Sequence, residues 1–82
     1  MKILVSVSVP SISESYDVFV PDFVQISSIV PLIVSAVEEL SNHVYVSSGQ
    51  ELLCLKEKNI LLHTEATLSA YGVKNGDHLL LF

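Results

Sequence analysis

Over the first nine residues, Ile3, Val5, Val7 and Val9 alternate with Leu4, Ser6 and Ser8. A period of two rich in β-branched side chains predicts a strand with one buried face. Pro10 ends it, and residues Ser11–Ser15 read as a turn region. Tyr16, Val18 and Val20 then alternate with Asp17 and Phe19, a second strand that stops at Pro21 because proline brings no amide hydrogen to a ladder. Two strands joined by a short polar loop predict an antiparallel hairpin.

The period changes at Ile26. With one residue about every 100° around an axis, Ile26, Ile29, Val30, Ile33, Ala36, Val37 and Leu40 share one face, and Ser27, Ser28, Ser35, Glu38 and Glu39 the other. The stretch from Ile26 to Leu40 is the one helical pattern in the chain, and the rest must fold around it. Ser27 or Ser28 is the expected N-cap, which would place Pro31 in the first turn, where a missing amide costs little. The helix is expected to end near Ser41–Asn42, with Val44 or Tyr45 closing the core beyond it.

After a turn at Ser47, Ser48 and Gly49, three short strands are expected. They are Glu51–Leu55, Ile60–Leu62 after a polar turn at Lys56–Asn59, and His78–Phe82 after the tight turn Asn75-Gly76-Asp77. Thr64–Val73 reads as irregular, anchored by Leu68 and Tyr71. The order is strand, strand, helix, strand, strand, strand. One helix and several strands bury their apolar faces most simply when a sheet lies on the helix. The first and last strands are apolar enough to be central, side by side and parallel, with a right-handed crossover through the helix. The expected fold is α+β: a β-grasp, a mixed sheet of four to five strands packed on one helix, filling residues 1–82 as a single domain.

Charge narrows the partners. Four Lys, no Arg and a net charge of −5 oppose nucleic-acid binding, which needs a basic face, and oppose an anionic membrane surface. The single cysteine, Cys54, allows no intrachain disulfide and fits a reducing compartment. The broken apolar run of MKILVSVSV does not make a signal peptide, and the helix is too short and too polar on one side to span a bilayer. A cytoplasmic protein is expected. No catalytic constellation stands out. Cys54 lies in an apolar strand between Leu53 and Leu55, which reads as a packed or half-exposed strand residue, and His43, His63 and His78 lack metal-ligand spacing. No glycine-rich phosphate loop is present. Neither an enzyme nor a cofactor or metal is expected.

The solvent side of the sheet carries the functional expectation. If Ile3, Val5, Val18, Val20, Leu53, Leu55, Leu79 and Leu81 face the helix, the opposite face holds Leu4, Phe19, Leu52, Cys54, Leu80 and Phe82, with His78 and Lys56 among them. That face is ordinarily polar, so a contiguous apolar group there marks a protein-binding surface. The candidate residues are Leu4, Phe19, Leu52, Leu80 and Phe82, with Leu80 and Phe82 at the centre and Leu4 alongside on the first strand.

The segment Thr67-Leu68-Ser69-Ala70-Tyr71-Gly72-Val73, followed by Asn75-Gly76-Asp77 and an apolar strand, resembles the approach to the last strand in ubiquitin-like proteins. With Val20-Pro21 ending the second strand and an apolar helix after it, the chain is similar over its whole length to the small bacterial ubiquitin-like proteins of the YukD/EsaB family, which accompany type VII secretion systems. The resemblance implies a cytoplasmic accessory component or regulator of that machinery, acting by non-covalent binding of a protein partner. Ubiquitin binds partners with the same sheet face, although Lys56 stands here where ubiquitin has an aliphatic residue. The alternatives are a ubiquitin-like sulfur carrier or protein modifier, disfavoured because the sequence ends Leu81-Phe82 and not Gly-Gly, and a domain docked permanently in a larger assembly. The sequence does not address oligomeric state.

Overall fold

The computed structural model describes residues 1–82. Strands β1 (Lys2–Val9) and β2 (Glu14–Pro21) form an antiparallel hairpin, helix α1 spans Ile26–Leu40, and β3 (Leu53–Leu55), β4 (Ile60–Leu61) and β5 (His78–Leu81) follow. The strands make one mixed sheet in the order β2-β1-β5-β3-β4, with β5 parallel to β1 and antiparallel to β3. The β-grasp expectation therefore holds, with five strands. The third strand is shorter than expected, although Leu52 and Phe82 still exchange two backbone hydrogen bonds of 2.9 Å beyond its end.

Alternation in β1 does what its pattern requires. Ile3, Val5, Val7 and Val9 are buried and the residues between them half-buried. With Val20, Leu53, Leu55, Leu79 and Leu81 they make the sheet side of the core, and Ile26, Ile29, Ile33 and Val37 make the helix side. The turn at Asn75–Asp77 joins the two central strands directly. Gly76 adopts φ +87°, and its N–H donates to the Leu4 carbonyl at 2.9 Å while the Leu4 N–H donates to Asn75 Oδ1 at 2.7 Å. Such a left-handed conformation favours glycine.

The start of α1 departs from the sequence reading. The helix begins at Ile26, its N-cap is Gln25, and no side chain caps it. The segment approaching the last strand takes over that task. The Ile26 N–H donates to the Ala66 carbonyl and the Ser27 N–H to the Thr64 carbonyl, both at 2.8 Å. Backbone carbonyls thus satisfy amides that a helix leaves unpaired at its start. This explains the Thr67-Leu68-Ser69 signature. Leu68 is fully buried, Thr67 Oγ1 accepts the Ala70 N–H at 3.2 Å, and the Ser69 N–H returns to the Asp22 carbonyl at 3.0 Å. The anchors Leu68 and Tyr71 act as expected, Tyr71 through its hydroxyl, which accepts the His63 N–H at 2.9 Å.

Because α1 starts early, Pro31 is its sixth residue and not part of the first turn. Its ring faces solvent, and the Ser27 carbonyl four residues back receives no amide from it. The apolar arc is also turned slightly from the expected one. Val34 is buried, whereas Leu40 is exposed. Leu40 is the last helical residue, and beyond it Asn42 and His43 take φ +58° and +65° to fold the chain back. Tyr45, whose N–H donates to Ser41 Oγ at 3.1 Å, closes the core there, and Val44 points outward.

Two substitutions test this account. Ile33 is fully buried at the middle of α1, so Ile33→Ala is expected to cost about 2–5 kcal/mol through the cavity it leaves, read from denaturant melts. Pro31→Ala is expected to stabilise by about 1–3 kcal/mol, because alanine restores an amide donor inside the helix. Absence of any gain would show that the helix is effectively nucleated after Pro31.

Candidate functional site

The sheet register decides which outward side chains meet. Leu4 pairs with Phe19, Ser6 with Asp17 and Ser8 with Ser15 across the β1–β2 hairpin. Across the parallel pair, Ser6 lies beside His78 and Ser8 beside Leu80. Cys54 then stands between Leu80 and Leu61, one strand on either side, and Leu52 opposite Phe82. The outer face therefore holds two apolar groups. Leu80, Cys54, Leu61, Leu52 and Phe82 run together over β5, β3 and β4, and Leu4 with Phe19 forms a pair at the opposite end.

The expected placement of Leu4 beside Leu80 is corrected by this register. Parallel pairing holds, but Leu80 is level with Ser8, four residues from Leu4, a distance of roughly 13 Å along the strand. A polar belt separates the groups. It contains Asp17, Ser6, His78 and Lys56, whose N–H donates to the His78 carbonyl at 3.0 Å. Glu57 leans over it: its carboxylate accepts the His78 N–H at 3.2 Å and sits 2.8 Å from His78 Nδ1. The His78 side-chain bond is the main reason that the Glu57 carboxyl is held below its usual range.

Exposure separates the candidates further. Phe19, Leu52, Leu61 and Phe82 are 68%, 47%, 54% and 56% exposed, large apolar side chains left about half or more in solvent. Leu4 and Leu80 are half-buried between their neighbours. Leu61 is a residue that sequence reasoning passed over, since Ile60-Leu61-Leu62 shows no alternation. The available signal was the four-residue β3–β4 connection, Lys56–Asn59, closed by Asn59 at φ +54°. Pairing Leu55 with Ile60 puts Leu61 opposite Cys54 and on the same face.

A second concavity lies across the helix. A shallow groove of about 540 Å³ is lined by Val30, Pro31, Val34 and Glu38 of α1 and by Ser47, Gly49 and Glu51 of the following loop. Its acids serve the loop. Glu38 accepts the Ser47 N–H at 3.1 Å, and Glu51 accepts the Ser48 N–H at 2.8 Å and the Tyr45 hydroxyl at 2.9 Å. Burial pushes the Glu51 carboxyl up, but the bonds from Ser47, Ser48 and Tyr45 outweigh it and the net position is below the usual range. For Tyr45, burial, then the hydrogen bond to Glu51, then the charges of Glu51 and Glu38, push the phenol up to about 12. No three His, Cys, Asp or Glu side chains are grouped to hold a metal ion, and no helix is long and apolar enough to cross a membrane.

A five-stranded mixed sheet in the order β2-β1-β5-β3-β4 on a single helix defines the chain as a ubiquitin-like β-grasp protein. Its residues 4–81 match the family described as WXG100 protein secretion system (Wss), protein YukD, and the chain belongs to that family. Among solved structures it is similar to the ubiquitin-like domain of the Mycobacterium tuberculosis type VII secretion system protein EccD1, with TM-score 0.77 and 16% identity over 99% of this chain and 97% of that one. The EccD5 ubiquitin-like domain from Mycobacterium xenopi gives TM-score 0.72 and 19% identity over 100% and 93% of the two chains. The ubiquitin-like domain of Arabidopsis thaliana protein At2g32350 gives 0.74 and 24% over 99% and 76%. At such identities these three likenesses bear on the fold alone. No curated protein matches the chain in sequence.

The Tyr45 bond gives a pH test. The phenol loses its proton near 10 in the unfolded chain and near 12 in the folded one, so the unfolded chain deprotonates first. Stability from this group is complete below pH 10 and declines as pH rises towards 12. Tyr45→Phe is expected to lower stability at neutral pH and to lose less of it between about pH 9 and about pH 11 than wild type, measured by denaturant midpoints at both. Parallel losses in the two proteins would show that Tyr45 titrates normally.

Proposed function

We propose that this chain is a non-covalent protein-binding component or regulator of type VII secretion, acting in the cytoplasm and without catalysis of its own. The observation that carries the reading is the apolar group Leu52, Leu61, Leu80 and Phe82, with Cys54 between them, on the side of the sheet that faces away from the helix. A sheet with one covered face ordinarily solvates the other with polar residues. Here a protein of net charge −5 exposes large apolar side chains from adjacent strands, and desolvated apolar anchors dominate interface energies. Leu4 and Phe19 form a second, smaller contact point across the His78–Glu57 belt. Membership of a secretion-system family supports a partner within that machinery.

Leu80→Asp places a charge in the patch while Leu79 and Leu81 keep the core. It is expected to retain the circular dichroism spectrum of wild type, to weaken partner capture at least about thirtyfold, equivalent to about 2 kcal/mol, and to impair secretion in a type VII assay. Because Leu80 is half-buried, Phe82→Asp at the more exposed end of the patch serves as the parallel variant. Normal secretion and capture by both folded variants would remove this face as the partner surface and turn attention to the helix around Glu38 and Glu39.

A further inference from the structure

The two edges of the sheet are unequal. β4 offers two residues, whereas β2 offers eight in an unbroken register from Lys2–Pro21 to Val9–Glu14. The Asp22 N–H donates to the Met1 carbonyl at 3.0 Å, and bonding alternates along an antiparallel ladder. The even-numbered residues of β2 therefore bond to β1, and Ser15, Asp17 and Phe19 turn their N–H and C=O groups away from the sheet. A long unpaired edge without a bulge or a covering helix is a template for another strand.

Apolar side chains flank this edge. Tyr16 and Val18 point toward the helix side yet stay half-buried. Since Val30, Val34 and Glu38 face the loop at Ser47–Glu51, the opposite flank of α1, with Leu32, Ala36 and Leu40 at successive turns, lies on the β2 side. Leu32 and Leu40 are exposed there. Past the helix end, Ser41 and Val44 share a depression with Ile12, Glu14 and Tyr16. A strand added to β2 would send alternate side chains towards these apolar residues and the others onto the outer face next to Phe19 and Asp17.

Charge selects the occupant. Along the edge the charged residues are Glu14 and Asp17, and the stretch from Glu14 to Leu40 carries no Lys, Arg or His; Asp22 is paired with the N-terminal amine at 3.2 Å and Glu38 lies on the other flank of α1. A second copy is a poor fit, because antiparallel pairing of two β2 edges about their centre sets Asp17 opposite Asp17, and like charges directly opposite are destabilising. We propose that the free edge of β2 takes an extended cationic segment of a protein partner by strand addition, with its apolar residues against Tyr16, Val18 and the exposed Leu32 and Leu40 and a Lys or Arg beside Asp17. This is a separate surface from the Leu80 patch.

The test titrates the isotope-labelled chain with a capped peptide of about eight residues alternating lysine and valine, followed by amide NMR shifts and hydrogen exchange. The expected result is shifts and slowed exchange at Ser15, Asp17 and Phe19, at least about fivefold weaker binding by Asp17→Lys, and no binding of a glutamate–valine peptide. Ser15→Pro keeps the charges but removes an outward N–H at an edge position that tolerates proline, and is expected to weaken binding comparably, whereas Leu80→Asp leaves it unchanged. Shifts confined to β3 and β5, binding by the Asp17 and Ser15 variants as tight as that of wild type, or self-association through β2 in sedimentation would each overturn the proposal.

Discussion

The parallel pairing of β1 and β5 is the constraint on which the structure depends. It places two strands from opposite ends of the chain in the middle of one sheet, so every other element must be arranged around that contact. The Asn75–Asp77 turn is built for this junction, with its side chain and its glycine amide both bonded to Leu4. Non-local pairing of this kind carries a loop-closure cost that only a shared core can offset. The core supplied here runs from Ile3–Val9 on one strand to Leu79 and Leu81 on the other, under Ile29, Ile33 and Val37.

The same pairing sets the surface. With Ser8 level with Leu80, Leu4 and Phe19 stand apart from the outward leucines that the β3–β5 and β3–β4 pairings bring together. The His78–Glu57 pair occupies the level between them. Surface pairs of this exposure contribute little to stability, so its consequence is spatial: with Asp17, Ser6 and Lys56 it separates two apolar contact regions.

The 64–69 segment shows a second economy. It forms no long element, yet its carbonyls satisfy the first amides of α1, Leu68 fills the core beneath, and Tyr71 holds His63. Helix and segment are thereby ordered together, which is why the helix does not need a serine cap. The stretch that most resembled other ubiquitin-like chains is a backbone clamp, and its residue types follow from that role.

Periodicity by itself determined the strand and helix pattern, the buried faces of β1 and β2 and the central place of the terminal strands. Those features depend on local alternation and on total apolar content, both written along the chain. Periodicity also placed Phe19, Leu52 and Phe82 on the outer face, because side chains in a strand can point only two ways. Tertiary structure decided the rest. The helix start moved to Ile26 because distant carbonyls at Thr64 and Ala66 accept its amides, a contact no local rule contains. Leu40 gave way to Tyr45 because a fold-back at Asn42 and His43 brought another side chain over the core. Which outward residues form one patch was set by the offset between β1 and β5, a register across some seventy residues of sequence that hydrophobic pattern leaves free by any even number of residues.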